Sequence, residues 1–163
     1  MWFRIKASDL DFTERSRFRL QNEAIVPASA EKVFAFLEKS DWAAWFPDFV
    51  GIRWLTPARS GVGAKRIVQL KMLSVEERFV AWEPGHRFAF SIDAITLPVV
   101  RAMLEDIQIE SQGPGKSLVK WRVHYDPTWL TRLLHPIVVA IFGRMFRRAL
   151  AQLSQACSDV LKF

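Results

Sequence analysis

Residues 20–47 read L-Q-N-E-A-I-V-P-A-S-A-E-K-V-F-A-F-L-E-K-S-D-W-A-A-W-F-P. Phe18, Leu20, Asn22, Ala24 and Val26 alternate with Arg19, Gln21, Glu23 and Ile25, the pattern of a strand with one buried face. Pro27 ends the ladder, because it has no N–H to donate. Ser29 is placed as an N-cap, and Val33, Phe34 and Leu37 follow at helical spacing. Asp41–Phe46 reads as a second short helix stopped by Pro47.

Downstream, the period changes to that of a meander. Strands are expected over Ile52–Thr56, Ala64–Met72, Val75–Trp82, His86–Asp93, Arg101–Ser111 and Lys116–Tyr125, separated by Gly- and Pro-bearing turns. Asp126-Pro127 ends the sheet. Thr128–Leu134 reads as a lead-in turn of helix, and Pro136 suits the first turn of a long helix. Leu134, Val138, Ile141/Phe142, Met145, Ala149, Leu153, Ala156/Cys157 and Val160 form an apolar stripe along it. A helix over 136–162 would run ~40 Å. Residues 1–17 form an N-terminal arm whose Trp2, Phe3 and Ile5 can tuck against the body; residues 18–163 form one domain.

Strands followed by a long helix make an α+β pattern. The pieces V-P-A-S-A-E-K-V-F (26–34), W-F-P (45–47), G-V-G-A (61–64), E-R-F-V-A-W-E-P-G-H-R-F (77–88) and F-R-R-A-L-A-Q-L (146–153), in this order, resemble the START-like or SRPBCC superfamily, and within it the polyketide cyclase/dehydrase-like group. The resemblance spans residues 18–162. It implies a helix-grip fold: a curved antiparallel β-sheet of about seven strands wrapped around the C-terminal α-helix, enclosing a hydrophobic cavity. In plant hormone receptors of that superfamily a glutamate in a similar strand motif faces the ligand, and Glu77-Arg78-Phe79 looks like it.

Strand parity then selects the cavity wall. A hairpin symmetric about Pro114 pairs Val119 with Ile109, Trp121 with Ile107, Val123 with Glu105 and Tyr125 with Met103. Its other face pairs Lys120 with Gln108 and Arg122 with Asp106, which reads as a solvated face with a cross-strand ion pair. A two-residue turn at Pro84-Gly85 pairs Ala81 with Phe88, Phe79 with Phe90 and Glu77 with Ile92, and leaves Trp82 outside over Arg87 as a cation–π contact. The expected ligand-binding residues are Arg66, Val68, Glu77, Phe79, Phe88, Phe90, Met103, Glu105, Ile107, Trp121, Val123, Tyr125, Ile141 and Met145. Arg66, Glu77 and Glu105 are inward charges, which must be paired or hydrogen-bonded if buried. They either anchor the polar end of a ligand or pair with one another across the sheet.

Other chemistry is excluded by what the chain lacks. It has no G-x-S-x-G elbow, no H-E-x-x-H and no Cys/His metal spacing, so no catalytic, metal or cofactor site is assigned. The three histidines are scattered, with His124 on the expected outer face. The net charge of +6 is dispersed, with no block of like charge and no nucleic-acid signature. It allows a weak, transient attraction to acidic membrane surfaces. Cys157 is the single cysteine, which fits a reducing cytoplasm. The most apolar run, Leu133–Phe142, is far shorter than the ~20 residues that span a bilayer. The expected function is binding or transport of a hydrophobic small molecule such as a lipid, isoprenoid, quinone or polyketide. The alternative is a polyketide cyclase/dehydratase-type enzyme, for which Glu77, Glu105 and Tyr125 are the inward acid/base candidates.

Overall fold

The computed structural model describes residues 1–39 and 42–160. Asp41, the expected start of the short helix, lies outside the described residues, as do residues 161–163 and the Val160 side chain. The chain runs β1 (Phe3–Arg4), α1 (Phe12–Arg15), β2 (Phe18–Val26), α2 (Ala30–Glu38), a 3-10 turn (Trp42–Ala44), β3 (Phe49–Trp54), β4 (Lys65–Leu70), β5 (Ser74–Glu83), β6 (Arg87–Ile95), β7 (Val100–Ser111), β8 (Ser117–Pro127), α3 (Trp129–Leu133) and α4 (His135–Val160).

The opening stretch folds as its pattern dictates. Val26 is fully buried at the end of β2. Ser29 sits in extended backbone and its Oγ accepts from Lys32 N at 3.5 Å, a long cap bond. The turn is fastened from the sheet by Ser117 Oγ, which donates to Ala28 O at 2.6 Å. Helix α2 buries Ala30, Val33, Phe34 and Leu37. Its last turn is closed by the Trp42 indole N–H, which donates to Leu37 O at 3.1 Å.

The sheet is antiparallel in the order β2-β8-β7-β6-β5-β4-β3. Bulges interrupt β3/β4, β5/β6 and β7/β8, and each adds local twist and bend. Helix α4 lies on the inner face: Phe146 meets Trp121 at 5.2 Å between ring centroids, and Ser154 Oγ donates to Ile25 O at 3.0 Å. Phe146, Ala149, Leu150, Leu153 and Cys157 are buried against the sheet, each Leu or Phe worth ~1.5–3 kcal/mol. This is the helix-grip architecture.

The arm is built into the sheet instead of resting on it. Strands β6 and β7 pair from Arg87↔Gln108 to Ser91↔Leu104 and then separate. Residues 3–6 enter the gap. Phe3 and Arg4 pair with Ile95 and Ala94 of β6, Ile5 N donates to Asp93 O at 3.2 Å, and Lys6 N donates to Arg101 O of β7 at 2.8 Å. Leu10 and Phe12 then cover Ala81, Ala89 and Leu104 on the outer face.

That cover corrects the expectation of a solvated outer face. The β7/β8 register is as the Pro114 symmetry predicts, but Asp106 is buried and pairs with Arg87 at 2.7 Å, not with Arg122. Arg122 donates to Gln108 Oε1 at 3.2 Å. His124 is also buried, its Nδ1 2.8 Å from Ser16 Oγ. Burial holds its pKa below the ordinary value, the field of Asp106 acting in the other direction.

The β5/β6 hairpin brings a second correction. Glu83 pairs with Arg87, so the loop is Pro84-Gly85-His86, with Gly85 at φ +78°. A bulge between Phe79 and Ala81 absorbs the extra residue. Glu77↔Ile92 and Phe79↔Phe90 therefore stand as expected, whereas Ala81 pairs with Ala89 and Trp82 with Phe88. Trp82 is consequently packed on Phe79 and Phe34, with centroids at 4.8 and 5.6 Å, and makes no cation–π contact with Arg87.

Candidate functional site

Between the inner face of the sheet and α4 lies a cavity of about 80 Å³. Its wall is almost wholly apolar, with Glu77 and Glu105 among the few polar groups on it. Of the expected residues, Val68, Glu77, Met103, Glu105, Trp121, Val123, Tyr125 and Met145 line it. Phe79, Phe88, Phe90 and Ile107 are buried in the adjoining core and do not reach the wall. Arg66 stands behind Glu77, also off the wall.

Ile141 is not part of the cavity: it points outward, 61% exposed. At 100° per residue it sits roughly 110° from the mean direction of Phe142, Phe146, Ala149 and Leu153. The same phase carries Leu134 outward and brings Val138 and Phe142 onto the wall. Trp42 and Phe46 also line the cavity and were missed by parity. Their signal was the spacing Trp42, Trp45, Phe46, one turn of helix with aromatics on a single side.

The charged groups form one linked cluster. Arg66 and Glu77 are register partners on β4 and β5, and Arg66 Nε donates to Glu77 Oε2 at 2.6 Å with both side chains buried. The Arg66 guanidinium carbon lies 4.5 Å from the Trp42 ring centroid and 4.9 Å from that of Phe79. Arg66 Nη2 has no hydrogen-bond partner among the described residues. The ring faces around it supply negative potential in place of oxygen atoms. Glu105, on β7, accepts from the Trp121 indole N–H at 2.7 Å.

Charge balance follows from this geometry. Arg66 provides one positive charge, and two ionised carboxylates would leave a buried negative charge uncompensated. Burial raises the Glu77 carboxyl above its ordinary value, and Arg66 pulls it back down. Burial, followed by the field of Glu77, pushes Glu105 up to about 8; the Trp121 hydrogen bond and Arg66 act against that rise. At neutral pH the cluster is therefore an Arg66–Glu77 ion pair beside a protonated Glu105. A protonated carboxyl carries one O–H donor, and Glu105 holds it on the cavity wall.

Tyr125, the other acid/base candidate, is engaged elsewhere. Its hydroxyl lies 2.8 Å from His135 Nε2, and burial raises its pKa. The tyrosine and Glu105 thus have separate partners. Among the described residues no cluster of three or more His, Cys, Asp or Glu side chains could hold a metal ion. No helix there is long and apolar enough to cross a membrane.

Comparison with known proteins agrees with this construction. Uncharacterised proteins of Mycobacterium tuberculosis and Mycobacterium bovis are 28% identical over 135 residues, covering 82% of this chain and 77% of theirs. Among solved structures, XoxI of Bacillus cereus superposes with a TM-score of 0.71 at 19% identity, over 87% of this chain and 96% of that one. A START superfamily protein of Mycobacterium smegmatis gives 0.63 at 12% identity, over 83% and 98%. The di-domain ARO/CYC BexL of the BE-7585A biosynthetic pathway gives 0.68 at 16%, over 85% of this chain and 45% of that one. At these identities the structural likenesses show the fold. The model of one family matches residues 17–158, most of the chain, and by that match the chain belongs to the polyketide cyclase/dehydrase and lipid transport family.

Proposed function

We propose that the protein binds a hydrophobic small molecule that carries one hydrogen-bond-accepting end, and that it holds this molecule without transforming it. The observation that carries the reading is the pairing of an apolar wall with a few polar groups, among which Glu77 and Glu105 form the one carboxyl cluster. Ligand pockets are typically apolar with a few placed polar groups that fix orientation. A carbonyl or hydroxyl oxygen would accept from the Glu105 O–H while the tail packs along Val68, Met103, Val123 and Met145. A lipid, isoprenoid, quinone or polyketide-like molecule fits that description.

Size adds a condition. Pockets for drug-sized ligands measure ~300–1,000 Å³, well above the 80 Å³ present. Binding then requires the wall to widen. The wall best able to yield is the first half of α4, whose outer side faces solvent at Ile137 and Ile141.

The second reading is a cyclase or dehydratase. It is favoured by the raised pKa of Glu105, which suits a general acid. The separate engagement of Tyr125 with His135 favours the carrier. Native mass spectrometry of the protein purified from cells tests the proposal. A non-covalent adduct is expected in the wild type and not in Met145→Trp, which fills the cavity. An adduct of unchanged mass after prolonged incubation supports a carrier, and conversion of it supports the enzyme. An adduct retained at full occupancy by Met145→Trp would refute binding in this cavity.

A further inference from the structure

The helices that close one side of the cavity also carry an exposed apolar surface. Trp129, Leu130 and Leu133 of α3, Leu134, and Ile137 and Ile141 of α4 are each between 44% and 72% exposed. They are not scattered. Leu134 N donates to Leu130 O, and Ile137 N and Val138 N donate to Leu134 O, so the two helices join almost without a break. Leu130, Leu133/Leu134, Ile137 and Ile141 then follow at helical spacing along one side. Soluble monomers rarely leave a contiguous apolar patch of this extent uncovered.

The charges on this stretch of chain are of one sign. No Asp or Glu occurs between Pro127 and Ser158, a stretch that contains Arg132, Arg144, Arg147 and Arg148. All four arginines are exposed, and none is in an ion pair with a described residue. Arg144 and Arg148 continue the line of Ile137 and Ile141 at the same helical spacing. An apolar face with Trp and Leu, flanked by arginine, is the composition of a helix that lies in a bilayer interface.

We propose that this α3–α4 surface docks the protein on anionic lipid membranes, with the aliphatic side chains and Trp129 entering the interface and the arginines over acidic headgroups. A membrane fits better than an acidic protein, because the patch has aliphatic bulk and no array of hydrogen-bonding groups to read a partner chain. The opposite sides of the same two helices line the cavity through Thr131, Val138 and Phe142. Docking therefore brings the bilayer against the wall that must yield for ligand entry. That last consequence rests on the proposed ligand binding, but docking itself does not.

Flotation with vesicles tests it, using phosphatidylcholine alone and phosphatidylcholine mixed with phosphatidylglycerol, with no added ligand. The wild type is expected to float with the mixed vesicles, less so in high salt and less with phosphatidylcholine alone. Leu133→Glu/Ile137→Glu should bind at least about tenfold more weakly, since each such side chain removed from water contributes about one order of magnitude. Val62→Glu, an exposed apolar residue of the β3–β4 loop, should float as the wild type does. If the double variant does not fold, Arg144→Glu/Arg148→Glu asks the same question and should abolish the preference for anionic vesicles. Docking is overturned if the wild type does not float, if the patch variants float equally, or if the wild type is a dimer that the patch variants dissociate. Met145→Trp should retain flotation while losing its adduct, so failure of the cavity reading and failure of docking are separable.

Discussion

Replacing Glu105 by Gln tests the buried proton at the centre of the site. The carboxyl is moved from an ordinary 4.5 to about 8, chiefly by burial and next by the charge of Glu77. A carboxyl raised in the folded state keeps its proton where the unfolded chain has lost it. Its contribution to stability is complete below 4.5, declines through the window, and is flat above about 8. At ~1.4 kcal/mol per unit the window is worth at most about 5 kcal/mol. Gln is neutral throughout, and its Oε can still accept from Trp121 Nε1 as Glu105 Oε2 does. The measurement is urea denaturation of both proteins from about pH 5 to about pH 8. The wild type should lose up to ~3.5 kcal/mol more than Glu105→Gln across that range. His124, lowered by burial, costs stability below its ordinary 6.5 and cancels in the difference, whereas Glu77, also raised, tilts stability in the same direction and, being coupled to Glu105, cancels only in part. Parallel pH curves would refute the protonated Glu105 and with it the donor assigned to the ligand's polar end.

Glu77→Ala leaves the Arg66 guanidinium among Trp42 and Phe79 without a counter-charge, and should cost ~3–5 kcal/mol in chemical denaturation; a loss within error would mean that Arg66 finds another partner. Leu153→Ala, at a fully buried point of α4, should cost ~2–5 kcal/mol, and a smaller value would show that the helix is not gripped by the sheet there. The Cys157 thiol is buried and pushed up to about 11, so iodoacetamide should label it in the native protein no faster than the chain unfolds. Rapid labelling would place that end of α4 away from the sheet.

What the sequence disclosed depended on whether local signals were symmetric. Gly113-Pro114-Gly115 centres its hairpin unambiguously, and every expected β7/β8 pair near it occurs. At Pro84-Gly85 the loop is one residue longer, and a bulge between Ala81 and Phe79 restores the register. Neither leaves a mark in the alternation, which is why Phe79, Phe90 and Glu77 were placed inward correctly while Trp82 was turned the wrong way. The pairing of Arg66 with Glu77 was legible as a need, since two inward charges on neighbouring strands require partners. Helix phase was less legible. Apolar residues occur on both sides of the first half of α4, so the stripe alone did not exclude Ile141. The arm carried the weakest signal: Phe3–Lys6 become structure only because β6 and β7 part beside them, and a tertiary gap has no sequence period.

The sheet order bears on how the chain reaches this state. Neighbouring strands from β3 to β8 are also neighbours in sequence, so their hairpins can zip locally. Strand β2 is different, because its partner is β8, and the paired residues run from Val26↔Ser117 to Phe18↔Tyr125. Closing a loop of that length costs entropy before any contact repays it, which makes this pairing the expected slow step of folding. During synthesis at ~5–20 residues per second, β2 emerges many seconds ahead of its partner. Over that interval its apolar face and that of α2 have nothing to cover them, and the nascent chain is most open to misassociation then.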